Sequence, residues 1–254
     1  MSGHSKWANI KHRKGRQDAK RGKTFGKLIR QIEVTARAGG TSDPDMNPAL
    51  APAIQKAKDA DVPKDTLERA AKRGAGELGD AAAYEPVQYE GYAPGGIAVL
   101  VDCLTDNRNR TAADVRKAFT KAGGSLAEPG SVAFLFSRRG QVVVNAPADA
   151  EDDLLMAGLD AGLEDLEQDG GLFTAWCDAS DVPSVRAAFE EAGFPVETAG
   201  STMVPSSTIG VEDPAEARRI LRLLDDLDDN DDVQDVYANF DIADDVLEAV
   251  GAEG

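Results

Sequence analysis

The sequence predicts an α+β multidomain protein: an N-terminal three-helix bundle with a basic arm, then two related ferredoxin-like α+β domains, one inserted in the other. Up to about residue 74, apolar residues recur at the spacing of one helical face. After residue 84, short β-rich runs alternate with helical segments. An internal repeat supports two related domains, because VRKAFTKAG at 115–123 and VRAAFEEAG at 185–193 agree at six of nine positions. A chance match of two Ala-rich amphipathic helices is the alternative interpretation.

The three helices of the bundle are each predicted from apolar spacing and from residues that start or stop helices. Residues 1–24 have few large apolar side chains and are predicted to form an arm. Phe25 begins a helix that Gly39 and Gly40 end, and Asn47-Pro48 supplies a cap and a first-turn proline for the second helix. Pro63 opens the third helix, which is expected to end at Gly74.

The remainder of the chain is predicted to fold as small sheets with helices on one face. The predicted strands are 84–90, 97–104, 131–136, 141–145, 172–177, 196–204 and 233–240, and the helices include 149–159, 182–192, 213–227 and one that ends at Gly123. The predicted domains are 1–80, a discontinuous domain of 81–136 with 207–242, an insertion at 137–206, and a tail at 243–254 that frays after Asp245.

Charge is distributed very unevenly along the 254 residues. The total of −17 divides into 17 − 10 = +7 for residues 1–80 and 11 − 35 = −24 for residues 81–254. A basic end of this kind indicates a polyanionic partner, while the acidic excess favours solubility or reflects an acid-biased proteome. No apolar run approaches the roughly 20 residues of a membrane span, and no signal-peptide pattern is present, so we expect a cytoplasmic protein without a membrane partner.

The first thirty residues contain ten Lys or Arg side chains and one acid, Asp18. Cations neutralise phosphates and release counterions, and arginine, asparagine and an indole can add contacts to bases. A solvated tail, or an arm folded against the acidic domains of the same chain, is the alternative. The candidate nucleic-acid-binding residues here are Lys6, Trp7, Asn9, Lys11, His12, Arg13, Lys14, Arg16, Lys20, Arg21, Lys23, Lys27 and Arg30.

Two further candidates, Arg108 and Arg110, lie in the segment TDNRNRT between a predicted strand and a predicted helix. Asp, Asn and Thr there are explained by helix capping, which does not require the two arginines. Guanidinium groups beside a helix N-terminus can bind a phosphate or RNA. Local salt bridging is the alternative interpretation.

The sequence predicts no catalytic residue, metal site, cofactor or small-molecule substrate. The two histidines are eight residues apart in the arm without a nucleophile, and the segment GRQDAKRGKT has six residues where a phosphate-binding loop has four. The acidic run 225–235 lacks the glycine and the final glutamate of a calcium loop, so it is interpreted as a solvated helix end. Cys103 and Cys177 are interpreted as small buried hydrophobic residues.

The opening segment MSGHSKWANIKHRKGRQDAKRGKTFGKLIR, with TDNRNRT, GYAPGG and VQDVYANFDI, resembles the YebC/PmpR family over nearly the whole chain. The resemblance implies a helical N-terminal domain followed by two related α+β domains. It also implies a non-enzymatic, cytoplasmic DNA-binding transcriptional regulator. Relatives that activate mitochondrial translation or act on ribosomes stalled at proline-rich sequences imply ribosomal RNA as the alternative target. Ala93 departs from the glycine common in GYGPGG, which puts a special backbone conformation there in doubt.

The leading hypothesis is therefore a regulator of gene expression that binds DNA, with a ribosome-associated translation factor as the alternative. A second class is a protein-interaction module in which the acidic domains bind a basic partner and the arm is a tether. An enzyme finds no support in the motifs.

Overall fold

The structure is a computed structural model that describes residues 18–79, 83–169 and 171–251. Its first part is a bundle of α1 (Asp18–Gly39), α2 (Leu50–Asp59) and α3 (Lys64–Gly74). Their apolar faces meet in one core that includes Ile32, Leu50 and Leu67, as the helical spacing predicted. The expected cap at Asn47 is wrong, because its side-chain amide donates to the Thr35 carbonyl at 3.0 Å and α2 begins three residues later.

The first sheet has the strand order β3-β1-β2-β9, with neighbouring strands antiparallel. Two helices, α4 (Arg108–Ala122) and α7 (Pro214–Asp228), share its core with buried Phe119, Ile220 and Leu224. The strands are β1 (Glu85–Tyr92), β2 (Ala98–Thr105), β3 (Ser125–Leu126) and β9 (Val233–Ala238).

The second sheet lies between these elements in the chain and has the order β5-β6-β4-β7, again antiparallel. Its core contains Val144, Leu154, Phe173 and Phe189. The elements are β4 (Phe136–Asn145), α5 (Glu151–Leu159), β5 (Leu163–Asp169), β6 (Leu172–Cys177), α6 (Val182–Glu191) and β7 (Val196–Pro205).

The two sheets have the same ferredoxin-like arrangement, which confirms the predicted fold class. In the first sheet α4 connects β2 to β3, and α7 precedes β9. In the second sheet α5 connects β4 to β5 in the same way, and α6 precedes β7. The repeated motif marks α4 and α6, which do not occupy equivalent places, since α4 corresponds to α5. What the two helices share is a sequence pattern: in each, a valine and a phenylalanine are buried and a glycine follows the helix. The domain boundaries proposed above stay a prediction.

The strand predicted at 131–136 is wrong. A 3₁₀ turn, Ala133–Leu135, occupies the segment, and β4 begins only at Phe136. The carboxylate of buried Glu90 accepts main-chain N–H groups of Gly130, Val132 and Ala133 at 2.6–2.8 Å, which holds the segment in a turn. Burial raises the pKa of Glu90, but these main-chain hydrogen bonds outweigh it and the pKa is lowered.

Several elements were not predicted. The strand β5 is rich in acids and lacks β-branched residues, so its sequence gives little strand signal. A short parallel pair joins β8 (Ile209–Val211) to β10 (Phe240–Ile242). The segment expected to fray forms α8 (Asp244–Gly251), whose Val246 is buried in the first core. Within the described residues, no helix has both the length and the hydropathy that a membrane span requires.

Both cysteines are buried, one in each core, as predicted. Burial raises the pKa of Cys103 to about 12 and that of Cys177 to about 11. Because the thiolate is the reactive form, we expect iodoacetamide at about pH 8 to label the folded protein roughly 100-fold more slowly than the urea-unfolded protein. Equal labelling rates in the two states, measured by mass spectrometry, would contradict this burial.

Candidate nucleic-acid interface

Three predicted binding residues on α1 lie against the end of α7. Lys23, Lys27 and Arg30, here called the root cations, occupy one face of α1 at i, i+4 and i+7. They face the acidic turn, residues 228–232. Lys23 Nζ lies 3.5 Å from an Asp229 carboxylate oxygen, and Lys27 Nζ lies 3.3 Å from one of Asp228. The root cations are thus already paired with carboxylates of the same chain.

The end of α7 attracts cations for two reasons. Its last carbonyls have no partner within the helix and carry the negative end of the helix dipole. Four aspartates between 225 and 229 add negative charge at the same end, where it is unfavourable. Lys23 and Lys27 donate to the main-chain carbonyls of Asp229 and Asp228 and therefore compensate both effects.

Arg30 is also largely enclosed at this interface, with a side chain only 17% exposed. Its guanidinium donates to the main-chain carbonyl of Asp231 and lies 3.5 Å from a carboxylate oxygen of Asp232. It also lies 4.6 Å from the ring centroid of Tyr84, in cation–π geometry. The arginine thereby joins the helical bundle to the first sheet.

Asp232 is the centre of the network. One of its carboxylate oxygens lies 2.7 Å from Arg110 Nη2 and 2.7 Å from the hydroxyl of buried Thr111. Burial of Asp232 opposes its ionisation, but the hydrogen bonds from Arg110 and Thr111 and the charges of Arg110 and Arg30 outweigh it. The pKa of Asp232 is therefore lowered, and the residue is held as an anion.

The TDNRNRT segment forms the N-terminus of α4 and is bound by local contacts. The Asn107 side chain accepts the Arg110 N–H at 3.1 Å and caps the helix. Arg110 also contacts Asp106 at 2.8 Å, and Arg108 lies 3.8 Å from Glu85. These distances favour the salt-bridging interpretation over a preformed phosphate site.

A cleft of about 480 Å³ opens where these groups meet. Arg30, Tyr84, Arg110 and Asp232 line its walls, with further aspartates around them. In the part of the chain that the structure describes, no three His, Cys, Asp or Glu side chains are grouped to hold a metal. The cleft is an ionic junction between the bundle and the first sheet.

The structure brings together only some of the predicted residues. Lys23, Lys27, Arg30 and Arg110 meet at the junction, whereas Arg108 pairs with Glu85 beside it. Lys20 and Arg21 lie in α1, with side chains outside the described part of the chain. The predicted residues at positions before 18 also lie outside it: Lys6, Trp7, Asn9, Lys11, His12, Arg13, Lys14 and Arg16.

The acidic half of the junction was missed. The run 225–235 was interpreted as a solvated helix end, but Asp232 is buried and Asp228 is bound by Lys27. The available signal was charge complementarity, because this run is the densest group of acids and the root cations belong to the densest group of bases.

In the YAPGG segment, the backbone at Ala93 has an ordinary conformation. This residue has φ −79° and an extended conformation, so the position does not require glycine. Gly95 and Gly96 both have φ of 75°, in the left-handed region that favours glycine. The turn is therefore made by the second and third residues after Ala93.

Fold and junction together define a class of α+β proteins in which a basic helical bundle is joined by ion pairs to two ferredoxin-like domains. The chain belongs to the TACO1/YebC family. The family model described as "TACO1/YebC protein N-terminal domain" matches residues 5–77, and the one described as "TACO1/YebC second and third domain" matches residues 84–240.

Similar proteins agree with this membership over nearly the full length. A "Probable transcriptional regulatory protein" of Beutenbergia cavernae is 56% identical, with 97% of this chain and 98% of the relative covered. One of Thermobifida fusca, with the same name, is 53% identical over 98% and 100%. The crystal structure of a conserved hypothetical protein from Aquifex aeolicus is 44% identical, with a TM-score of 0.80 and coverage of 89% and 93%.

Proposed function

We propose that this protein is a non-enzymatic regulator of gene expression that binds nucleic acid in the cytoplasm through its N-terminal segment. The observation that carries the proposal is the positive charge left after the junction is formed. Residues 1–22 hold seven Lys or Arg and one acid, a net of 7 − 1 = +6, in addition to the three root cations. Charge of this density in so short a segment fits phosphate backbones.

Pairing of this segment with the chain's own acids is the main competing explanation, and the junction weakens it. Asp228, Asp229 and Asp232 already contact Lys27, Lys23, Arg30 and Arg110. These three acids are thus occupied by cations of α1 and α4. An external polyanion is the better match for the seven cations that precede them.

DNA is the first target we propose, since the relatives are named probable transcriptional regulatory proteins. Ribosomal RNA is the second, and the net charge of −24 on residues 81–254 supports it. A surface of that charge is repelled by the backbone of a long duplex, whereas basic ribosomal proteins could face it.

Binding should fall steeply with salt if phosphate contacts drive it. We expect the affinity for labelled duplex DNA or RNA to drop by roughly 10³-fold between about 50 and 200 mM salt, because six or more contacts release counterions. Fluorescence anisotropy measures this dependence. Affinity that is flat across this range would contradict the proposal.

The target is distinguished by sequencing the nucleic acid that crosslinks to the protein in cells. Enrichment of a few genomic sites, each bound at least about 10³-fold more tightly than bulk DNA, supports a transcriptional regulator. Enrichment of ribosomal RNA with co-sedimentation on ribosomes supports the translation factor. Recovery of neither, with basic proteins captured instead, supports an interaction module.

A further inference from the structure

Helix α4 is a basic element in an acidic region. It carries five Lys or Arg and one acid, Asp114, a net of 5 − 1 = +4, although residues 81–254 as a whole have −24. Its neighbour α7 carries three more arginines together with four acids, a net of 3 − 4 = −1. Eight of the eleven Lys and Arg of residues 81–254 therefore lie on these two helices. Such concentration is not explained by solubility, which the surrounding acids already provide.

The cations of α4 divide into two groups. Arg108 and Arg110, at its N-terminus, are bound to Glu85, Asp106 and Asp232. Arg116 and Lys117 are exposed, and across the described residues neither has a carboxylate within 4.0 Å. Lys117 lies on the side of α4 opposite buried Val115 and Phe119, and Arg116 flanks that buried face.

The outward side of α7 continues this surface. Lys121 of α4 and Asp226 of α7 are joined at 2.7 Å across the two helices. Arg222 shares a face with Asp226 at i, i+4, just as Lys117 shares one with Lys121. Arg219 and Arg222 are exposed, and within the described ranges no salt bridge involves them. Arg116, Lys117, Arg219 and Arg222 form what we call the outer basic face.

We propose that the outer basic face is a second contact surface for the phosphate backbone of nucleic acid. The inference rests on the proposed function, because the N-terminal segment is the first contact. Helix α1, which follows the N-terminal segment in the chain, is held next to α4, since Asp232 binds both Arg30 of α1 and Arg110 of α4. Arg116 follows Arg110 by six residues, about 9 Å along the helix, so the outer basic face begins close to the junction.

This second contact also accounts for how an acidic protein binds a polyanion. Two basic surfaces give the phosphates places to bind without contact with the negatively charged parts of the chain. Simultaneous contact at both raises the overall affinity above that of either alone.

The test compares the full-length protein with R116A/K117A/R222A in anisotropy titrations against a labelled duplex of about 20 base pairs and a single-stranded RNA of similar length. We expect the salt slope for duplex DNA to fall by about 2 to 3, and the affinity at about 150 mM salt to fall about tenfold or more. The charge-preserving variant R116K/K117R/R222K should retain the slope. R138A, which removes an exposed cation from the other sheet, should retain it too.

A slope that R116A/K117A/R222A leaves unchanged while the full-length protein binds would overturn this inference alone. Unchanged binding with reduced self-association in sedimentation would assign the face to a second copy of the chain and also overturn it. Absence of binding by the unmodified protein to both probes would remove the proposed function and this surface together.

Discussion

Replacement of Asp232 by alanine is expected to lower the free energy of unfolding by about 3 kcal/mol, the lower end of the cost of removing one partner from a buried ion pair. The carboxylate is 7% exposed and contacts Arg30, Arg110 and Thr111. Without it the Thr111 hydroxyl and the Arg30 guanidinium lose a partner in an enclosed site. Arg110 is half-exposed and keeps Asp106, which limits the loss.

Urea unfolding followed by circular dichroism measures this change, and D231A is the matched control. Both variants remove one negative charge from the acidic turn. Asp231 is exposed, and its contact with Arg30 is made by the main-chain carbonyl, which alanine retains. We expect D231A to change stability by less than about 0.5 kcal/mol. Equal losses in the two variants would mean that Asp232 acts only through net charge.

The effect of D232A should depend on pH in a defined direction. The pKa of Asp232 is lowered in the folded protein, so its ionised form stabilises the fold fully above the ordinary aspartate pKa of about 3.9. That contribution is lost as the pH falls through the lowered pKa. The difference between the unmodified protein and D232A should therefore be complete at neutral pH and shrink below about pH 4.

Local patterns predicted α2 to α7 and most strands because each has one apolar face. The prediction was wrong for α1, which begins at Asp18 instead of Phe25, and it missed α8. The periodicity of Ile32 and Ala36, or of Val115 and Phe119, reports burial directly. The prediction failed at 131–136, where the apolar run resembles a strand. Glu90, forty residues away, binds the main chain there and imposes a turn. A contact between distant residues of this kind leaves no periodic signal.

The site was predicted only in its basic half, for a related reason. A cluster of cations is visible in the sequence, but the identity of its partners depends on which elements the fold brings together. Arg30 and Asp232 are 202 residues apart, and the pairing needs both the bundle and the first sheet in place. Composition therefore identified the charge, and the structure showed that part of it is already neutralised.

The largest change in binding is expected when the cations that precede the root cations are replaced. The variant K11A/R13A/K14A/R16A/K20A removes five positive charges that precede the root cations. If each contacts a phosphate, the salt slope for duplex DNA falls by about 4 to 5, and the affinity at about 150 mM salt falls about 100-fold or more. Anisotropy titration of the full-length variant measures both quantities.

The variant K27A/R30A is the informative comparison, because these cations are bound to the acidic turn and only 13% and 17% exposed. We expect its affinity for the same probe to stay within about threefold of the unmodified protein, since the two residues do not contribute free charge. Its stability in urea should fall, because Asp228 and Asp232 lose partners. A loss of binding as large as that of the five-residue variant, with the fold intact by circular dichroism, would mean that nucleic acid displaces the acidic turn and binds the root cations directly.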